Sequence, residues 1–230
     1  MPDQEATPAV TQALVFAAGD MPPQRVTTTV IQRVKAGRGY VVAADGGLAH
    51  AAALGLTPDL IVGDLDSVSD SLLAGYPSEL VVRHPVAKDE MDLELALTAA
   101  VSAGASSVSV LGAFGGRLDH SLAALLVAAR LTSEGLRVDL HGATHSAWPL
   151  AADGSVALEL PVGTTLSILS LAERSMVTSD GLDYPLARLG LPFGSGLGVS
   201  NTTALPNVSI TCDSGLVAVL VEHGEPLRSR

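Results

Sequence analysis

The sequence predicts an α/β protein in two parts. A mostly parallel, Rossmann-like sheet with helices on both faces is expected over residues 12–147, and an antiparallel β-sandwich over residues 148–230. Three observations predict this. Short β-branched runs alternate with longer Ala/Leu runs as far as His141. Beyond His145 the texture changes to period-2 segments punctuated by Gly and Pro. Apolar residues make up 47% of the 230 positions, far above the disordered range and enough for one large domain or two modest ones.

In chain order, Ala13–Ala17 reads as a strand and Pro22–Ala36 as a helix. Tyr40–Ala44 is a second strand, followed by a short helix at Leu48–Leu54. Asp59–Val62 and Leu80–Arg83 are the third and fourth strands. Asp92–Ala103 is a helix with a long apolar face. Ser107–Leu111 is the fifth strand, His120–Thr132 a helix, and Val138–His141 the sixth strand. A boundary falls near 145–152. The second part carries strands at Val156–Leu160, Thr165–Leu171, Ser175–Ser179, Leu182–Pro185, Val208–Thr211 and Leu216–Val221, with no helix.

Composition excludes several classes of function. Thirteen basic against twenty-four acidic residues give a formal net charge of −11, which disfavours phosphate-neutralising nucleic-acid binding. Only Lys35 and Lys88 are lysines, so there is no polybasic membrane patch. The single Cys212 rules out an internal disulfide and a cysteine-based zinc site. Residues 1–11 are polar and carry Asp3 and Glu5, unlike a signal peptide, and no apolar stretch has the length of a membrane span. A soluble cytoplasmic protein is expected. Cys212 and Trp148 read as packing residues. His50, His84, His141, His145 and His223 show no ligand spacing and read as surface or core fillers.

The acidic residues are informative by placement. Asp45 ends the second strand in Asp45-Gly46-Gly47. Asp64, Asp66 and Ser67 follow the third strand, Lys88, Asp89 and Asp92 the fourth, and Gly115-Gly116-Arg117-Leu118-Asp119-His120 the fifth. The carboxyl ends of parallel strands share one edge of a sheet, where ligands bind, so distant carboxylates are expected to converge. Asp64 and Asp66, two apart, share a side if the segment is extended. Close carboxylates repel one another unless a cation is present, and hard oxygen donors suit Mg²⁺ with substrate phosphates. Arg117 is a bidentate phosphate donor and Lys88 a point charge. The paired glycines let backbone approach a polyphosphate closely. The set describes metal-assisted phosphoryl or pyrophosphoryl transfer.

Taken singly, these pieces are ordinary. Asp-Gly-Gly is a common turn, Asp92 a common helix-start charge, and Asp-x-Asp a chance pattern. His120 serves equally as a base, a phosphate contact or an orienter of Asp119, and Gly19 and Asp20 after the first strand read either as nucleotide contacts or as plain loop residues. Four acidic motifs at four successive strand ends are harder to explain as turns.

Together these motifs resemble the thiamine pyrophosphokinase (thiamine diphosphokinase) family. The resemblance rests on Asp45-Gly46-Gly47, Thr57-Pro58-Asp59 through Gly63-Asp64-Leu65-Asp66-Ser67, Lys88-Asp89-x-x-Asp92-x-Glu94, and Gly115-Gly116-Arg117-x-Asp119-His120. Gly181-Leu182-x-x-Pro185-Leu186 and Ser200-Asn201 add weaker matches. The resemblance implies a nucleotide-binding catalytic domain, then a β-sandwich for thiamine binding and dimerisation. It implies transfer of the pyrophosphoryl group of Mg-ATP to thiamine, releasing AMP, in a homodimer with active sites at the subunit interface. By position, Asp64, Asp66 and Asp92 correspond to metal-linked catalytic acids. Asp119 is a further catalytic candidate. Asp45, Gly46, Gly47, Ser67, Gly116, Arg117 and His120 are candidate ATP-site residues, and Lys88, Tyr184, Ser200 and Asn201 lie nearer thiamine.

Three positions depart from the family pattern: Met91 stands where Thr is common, Ala124 where Asn is common, and Tyr184 where Trp is common. Tyrosine still offers a stacking face, of smaller area. On residues alone, other readings stay open. One is a diphosphokinase for another hydroxyalkyl heterocycle such as a hydroxymethyl pterin. Another is a non-catalytic nucleotide- or thiamine-binding relative. A dehalogenase-like phosphatase needs its Asp-x-Asp after the first strand, and a glycosyltransferase leaves Gly-Gly-Arg-x-Asp-His unexplained. The strand-one loop Ala17-Ala18-Gly19-Asp20 is no dinucleotide fingerprint, and no P-loop exists.

Overall fold

The computed structural model describes residues 11–37, 39–87 and 89–224; residues 1–10 and the candidate Lys88 lie outside the described residues. The chain divides into two compact units that do not follow chain order. One holds the residues up to Ala18 together with Thr28–Ser109; the other holds Gly19–Thr27 and the chain from Val110 onward.

In the first unit, strands β1 (Gln12–Phe16), β2 (Tyr40–Ala44), β3 (Leu60–Gly63), β4 (Val81–Arg83) and β5 (Ser107–Leu111, whose last two residues fall to the other unit) lie in the order β5-β1-β2-β3-β4. β1 to β4 pair in parallel, in registers such as Val15↔Val42 and Val62↔Val82. β1 and β3 are almost wholly buried, which is why both read as unbroken apolar runs. Helix α1 (Gln24–Ala36) ends here, and α2 (Gly47–Ala53) and α4 (Asp92–Ser102) pack on the sheet. α4 buries Leu93, Ala96, Leu97 and Ala100, one face at helical spacing. Two short elements had no sequence signal: helix α3 (Asp70–Leu73), capped by the Ser69 hydroxyl, and a 3₁₀ turn at Ser78–Leu80.

The second unit contains α5 (Leu118–Ser133), β6 (Arg137–His141) and two sheets. One runs β12 (Asn201–Thr202), β9 (Thr165–Ser170), β14 (Leu216–Glu222), β7 (His145–Ala151), β6, with all these pairings antiparallel. The other is the antiparallel sheet β11 (Leu189–Pro192), β10 (Arg174–Asp180), β13 (Asn207–Ser214), β8 (Ser155–Glu159). Alternate residues of the facing strands form one core, including Leu166, Ile168, Val177, Ile210, Cys212, Val217 and Val219. This is a β-sandwich, with the period-2 pattern predicted for it. Trp148 and Cys212 pack in or against this core as expected, and burial, helped by Asp213, pushes the Cys212 thiol up to about 11.

The structure corrects several expectations about elements. The segment 145–152, read as a boundary, holds β7; Pro149 masked it, because proline removes a ladder donor, yet β7 pairs along its length with β14. β11 and β12 were also unforeseen. Leu182–Pro185 is not a strand: Leu182 makes a single bridge to Thr203. His141 and His223 are not fillers either. Asp139, His141, Ser146 and His223 form a hydrogen-bonded chain with links of 2.6, 2.6 and 2.8 Å. Burial and the neighbouring His141 push the His223 imidazole down to about 4.

Candidate active site

Asp45 leaves β2 in a left-handed conformation (φ 45°), and its amide donates to the Val62 carbonyl, so its side chain is thrown across the end of β3. Gly47 follows because a Cβ there would lie 2.1 Å from the Phe16 carbonyl oxygen. Gly46 packs against Ser67, whose hydroxyl donates to Asp45 Oδ2 at 2.6 Å. At the end of β3, a Cβ on Gly63 would meet both Asp92 Oδ1, at 3.0 Å, and the Asp45 side chain. Three strand ends therefore converge: carboxylate oxygens of Asp45, Asp64 and Asp92 all lie within 4.8 Å of one another.

Asp66 stands outside this group. The segment after β3 is not extended, because Leu65 takes a φ of 61°, yet the Asp66 side chain still meets that of Asp64. The Asp66 amide also donates to Asp64 Oδ1, and its carboxylate is exposed. The neighbouring Asp64 charge raises its pKa above the usual range, with Asp45 and Asp92 adding to it. The third carboxylate of the cluster is Asp45, which the sequence reading expected only as a nucleotide contact. Its signal was the strand-end Asp-Gly-Gly, but its left-handed backbone was invisible in the sequence.

The three carboxylates suit a hard divalent cation. Oδ1 of Asp45 is buried and has no hydrogen-bond partner among the described residues, Oδ1 of Asp92 is buried nearby, and three negative charges share the space. A cation with a preference for oxygen ligands offsets both costs.

In the other unit, the loop after β5 is tied to the residues after β1. Gly19 and Asp20 donate their amides to the carbonyls of Gly112 and Phe114. A Cβ on Gly115 (φ 146°) would lie 2.5 Å from the Asp20 amide nitrogen, so only glycine fits. Gly116 follows at φ 57° in open space. Arg117 grips Asp119 with two parallel bonds, Nε to Oδ1 at 3.1 Å and an Nη to Oδ2 at 2.5 Å. This pair and the His120 amide hold the Asp119 carboxyl down to about 2, and raise Arg117 further. Two of the five guanidinium N–H groups are engaged, which among the described residues leaves three for an anion. The His120 side chain is exposed, and His120 acts on Asp119 first through its backbone amide and then through its charge.

The sandwich holds the remaining candidates. Tyr184 is exposed, Asn201 is buried against its backbone, and Ser200 (φ 61°) donates its amide to the Ser167 hydroxyl. Met91 caps α4 without a side-chain bond, and Ala124 is buried on α5.

Two family models match the parallel sheet with acids at its strand ends and the β-sandwich that follows it in the chain, and they place this chain among the ATP-dependent diphosphotransferases. The family model for the thiamin pyrophosphokinase catalytic domain matches residues 31–140, and that for the thiamin pyrophosphokinase vitamin B1 binding domain matches residues 155–217. The chain belongs to the thiamin pyrophosphokinase family. The thiamine pyrophosphokinase of Bacillus subtilis superposes with a TM-score of 0.75 at 21% identity, over 92% of this chain and 98% of that one. A thiamin pyrophosphokinase family protein from Enterococcus faecalis gives 0.71 at 25% identity, over 94% and 100%. The Candida albicans thiamin pyrophosphokinase gives 0.70 at 16% identity, over 94% of each. No curated protein matches the chain. No helix among the described residues is long and apolar enough to cross a membrane.

Proposed function

We propose that this chain catalyses the diphosphokinase reaction of its family: the hydroxyl of thiamine attacks the β-phosphorus of ATP, the bond from the β-phosphorus to the AMP oxygen breaks, and thiamine diphosphate and AMP leave. The observation that carries this reading is the convergence of Asp45, Asp64 and Asp92 at successive strand ends. Those three carboxylates would hold Mg²⁺, with Asp66 at their rim. The ion supplies charge neutralisation on the polyphosphate.

The protein's own groups do the rest. Ser67 holds one oxygen of Asp45 and so presents the other. Gly46 and Gly116 keep backbone accessible to a nucleotide, Gly47 lets α2 start against β1 so that this turn can form, and Arg117 donates to phosphate oxygens while Asp119 fixes its plane. Lys88 and His120 are further anion contacts. Asp119, already held near 2, is a poor base. The hydroxyl proton is therefore lost late, to Asp92 or to solvent. The nucleotide-binding part centres on residues 12–147 and the thiamine-binding and dimerisation part on 148–230, with strand β7 spanning the junction and Tyr184, Ser200 and Asn201 on the thiamine side. The working form is a cytoplasmic homodimer with active sites at the subunit interface, free of nucleic acid and membrane.

Incubation with ATP, Mg²⁺ and thiamine tests this. Equimolar thiamine diphosphate and AMP are expected; ADP as the nucleotide product, or turnover with pterin alcohols but not thiamine, overturns it.

A further inference from the structure

Tyr184 stands at an odd place. Leu182 and Leu186, two residues to either side, are buried in the sandwich core, whereas the Tyr184 side chain is 73% exposed. A large aromatic ring at a position in step with core residues, yet turned to solvent, needs its backbone held against collapse inward. The holding group is identifiable. Residues 181–183 run against 202–205 through the Leu182–Thr203 bridge, an Asp183 amide bond to the Thr202 carbonyl, and amides of Ala204 and Leu205 on the Gly181 carbonyl. Backbone pairing stops there, and the next rung is made by a side chain. Asn201 Oδ1 accepts from the Tyr184 amide at 3.1 Å, and Asn201 Nδ2 donates to the Tyr184 carbonyl at 2.7 Å. The same Oδ1 accepts from the Thr202 amide at 2.9 Å. Beyond Pro185, which has no N–H, Leu186 is tied to Ser179 through both main chain and hydroxyl.

We propose that Asn201 is a positioning residue: its carboxamide substitutes for a peptide unit of a β-ladder and fixes the Tyr184 backbone, so that the exposed ring presents a face to the heterocycle of the acceptor. This rests on the thiamine reading of the site. Asn201 itself is 7% exposed, its carboxamide oxygen accepts twice and one of its two N–H groups holds the Tyr184 carbonyl, so its burial and these bonds assign it to Tyr184 and not to direct contact with substrate. An aspartate at 201 keeps the two accepted bonds but sets a carboxylate oxygen against the Tyr184 carbonyl, and an alanine removes all three bonds, so a clamp predicts that both variants loosen the Tyr184 backbone.

Two readouts on the full-length protein test this. The first, without ligand, is hydrogen exchange at the Tyr184 amide. Asn201→Ala should raise its rate about tenfold or more while the Val219 amide in the core stays protected. The second is steady-state kinetics. Asn201→Ala should raise the thiamine KM about tenfold with kcat and the ATP KM within about twofold, and should add nothing in the Tyr184→Ala background. Unchanged exchange at Tyr184 overturns the clamp. A KM effect that persists in full in the double variant overturns action through Tyr184. A wild type that converts no thiamine overturns the acceptor reading and with it the role of the ring, a failure recognisable because the exchange result stands apart from it.

Discussion

Ser67 donates its hydroxyl to Oδ2 of Asp45 at 2.6 Å, bridging the loops after β3 and β2. The bond ties up one oxygen of Asp45, and the other is the buried Oδ1 beside Asp64 and Asp92. Ser67 thus orients a metal candidate without joining the cluster. Removing such an outer partner commonly costs about 10–100-fold in metal affinity or activity. Ser67→Ala should accordingly raise the Mg²⁺ concentration for half-maximal rate by about tenfold, read by metal titration at saturating ATP.

Asp64 sits in a cluster whose charges repel when no cation is bound. Asp64→Asn should lower turnover by about 100-fold or more, by loss of an anionic ligand from a charge-stabilising site. In metal-free buffer it should melt at or above the wild-type temperature. Addition of Mg²⁺ should raise the Tm of the wild type and not of the variant. Paired melting curves with and without Mg²⁺ check both statements, and a variant less stable than wild type in metal-free buffer contradicts the repulsion argument.

Gly47 opens α2 against the β1 backbone, where a Cβ would lie 2.1 Å from the Phe16 carbonyl oxygen. Two main-chain segments cannot yield as a flexible side chain can. Gly47→Ala should destabilise the protein by about 2–3 kcal/mol, the upper part of the range for overpacking, as measured by urea unfolding.

His223 should make stability fall in mild acid. Its folded pKa, about 4, lies below the unfolded value of 6.5, so the unfolded chain takes up the proton first. The stabilising contribution is complete above pH 6.5 and is lost as the pH drops from there toward 4. His141, His145 and Arg25 face the ring and oppose its protonation in the same sense. His223→Asn should flatten the dependence of Tm on pH between 6.5 and 4.5 by a few degrees, at about 2–4 °C per kcal/mol for a chain of this size.

Met91 is the N-cap of α4 and offers no side-chain acceptor to the first turn. Met91→Thr should supply one and stabilise the protein by about 1 kcal/mol. Thermal melting reads the gain; a loss of stability would show that the Met91 packing outweighs the cap.

Much of this molecule was legible in its residues. Tyr40–Ala44 and Ser107–Leu111 are strands at the bounds that their β-branched runs predict, and α4 begins at Asp92 as its apolar spacing requires. These are local signals, carried by periodicity and by the chemistry of neighbouring residues. β7 was hidden by Pro149, and Leu182–Pro185 looked like a strand until its last rung proved to be a side chain. Both depend on what a distant segment offers as a hydrogen-bond partner, which no local pattern encodes.

The candidate site divides in the same way. By itself the sequence determined that acids cluster after successive strands, because strand ends are marked by the change from apolar runs to Asp and Gly. Only the tertiary structure decided which of them meet. Left-handed turns at Asp45 and Leu65 swing one carboxylate in beside Asp64 and Asp92 and leave Asp66 at the rim, and backbone dihedrals at such positions are set by the packing of the strands around them.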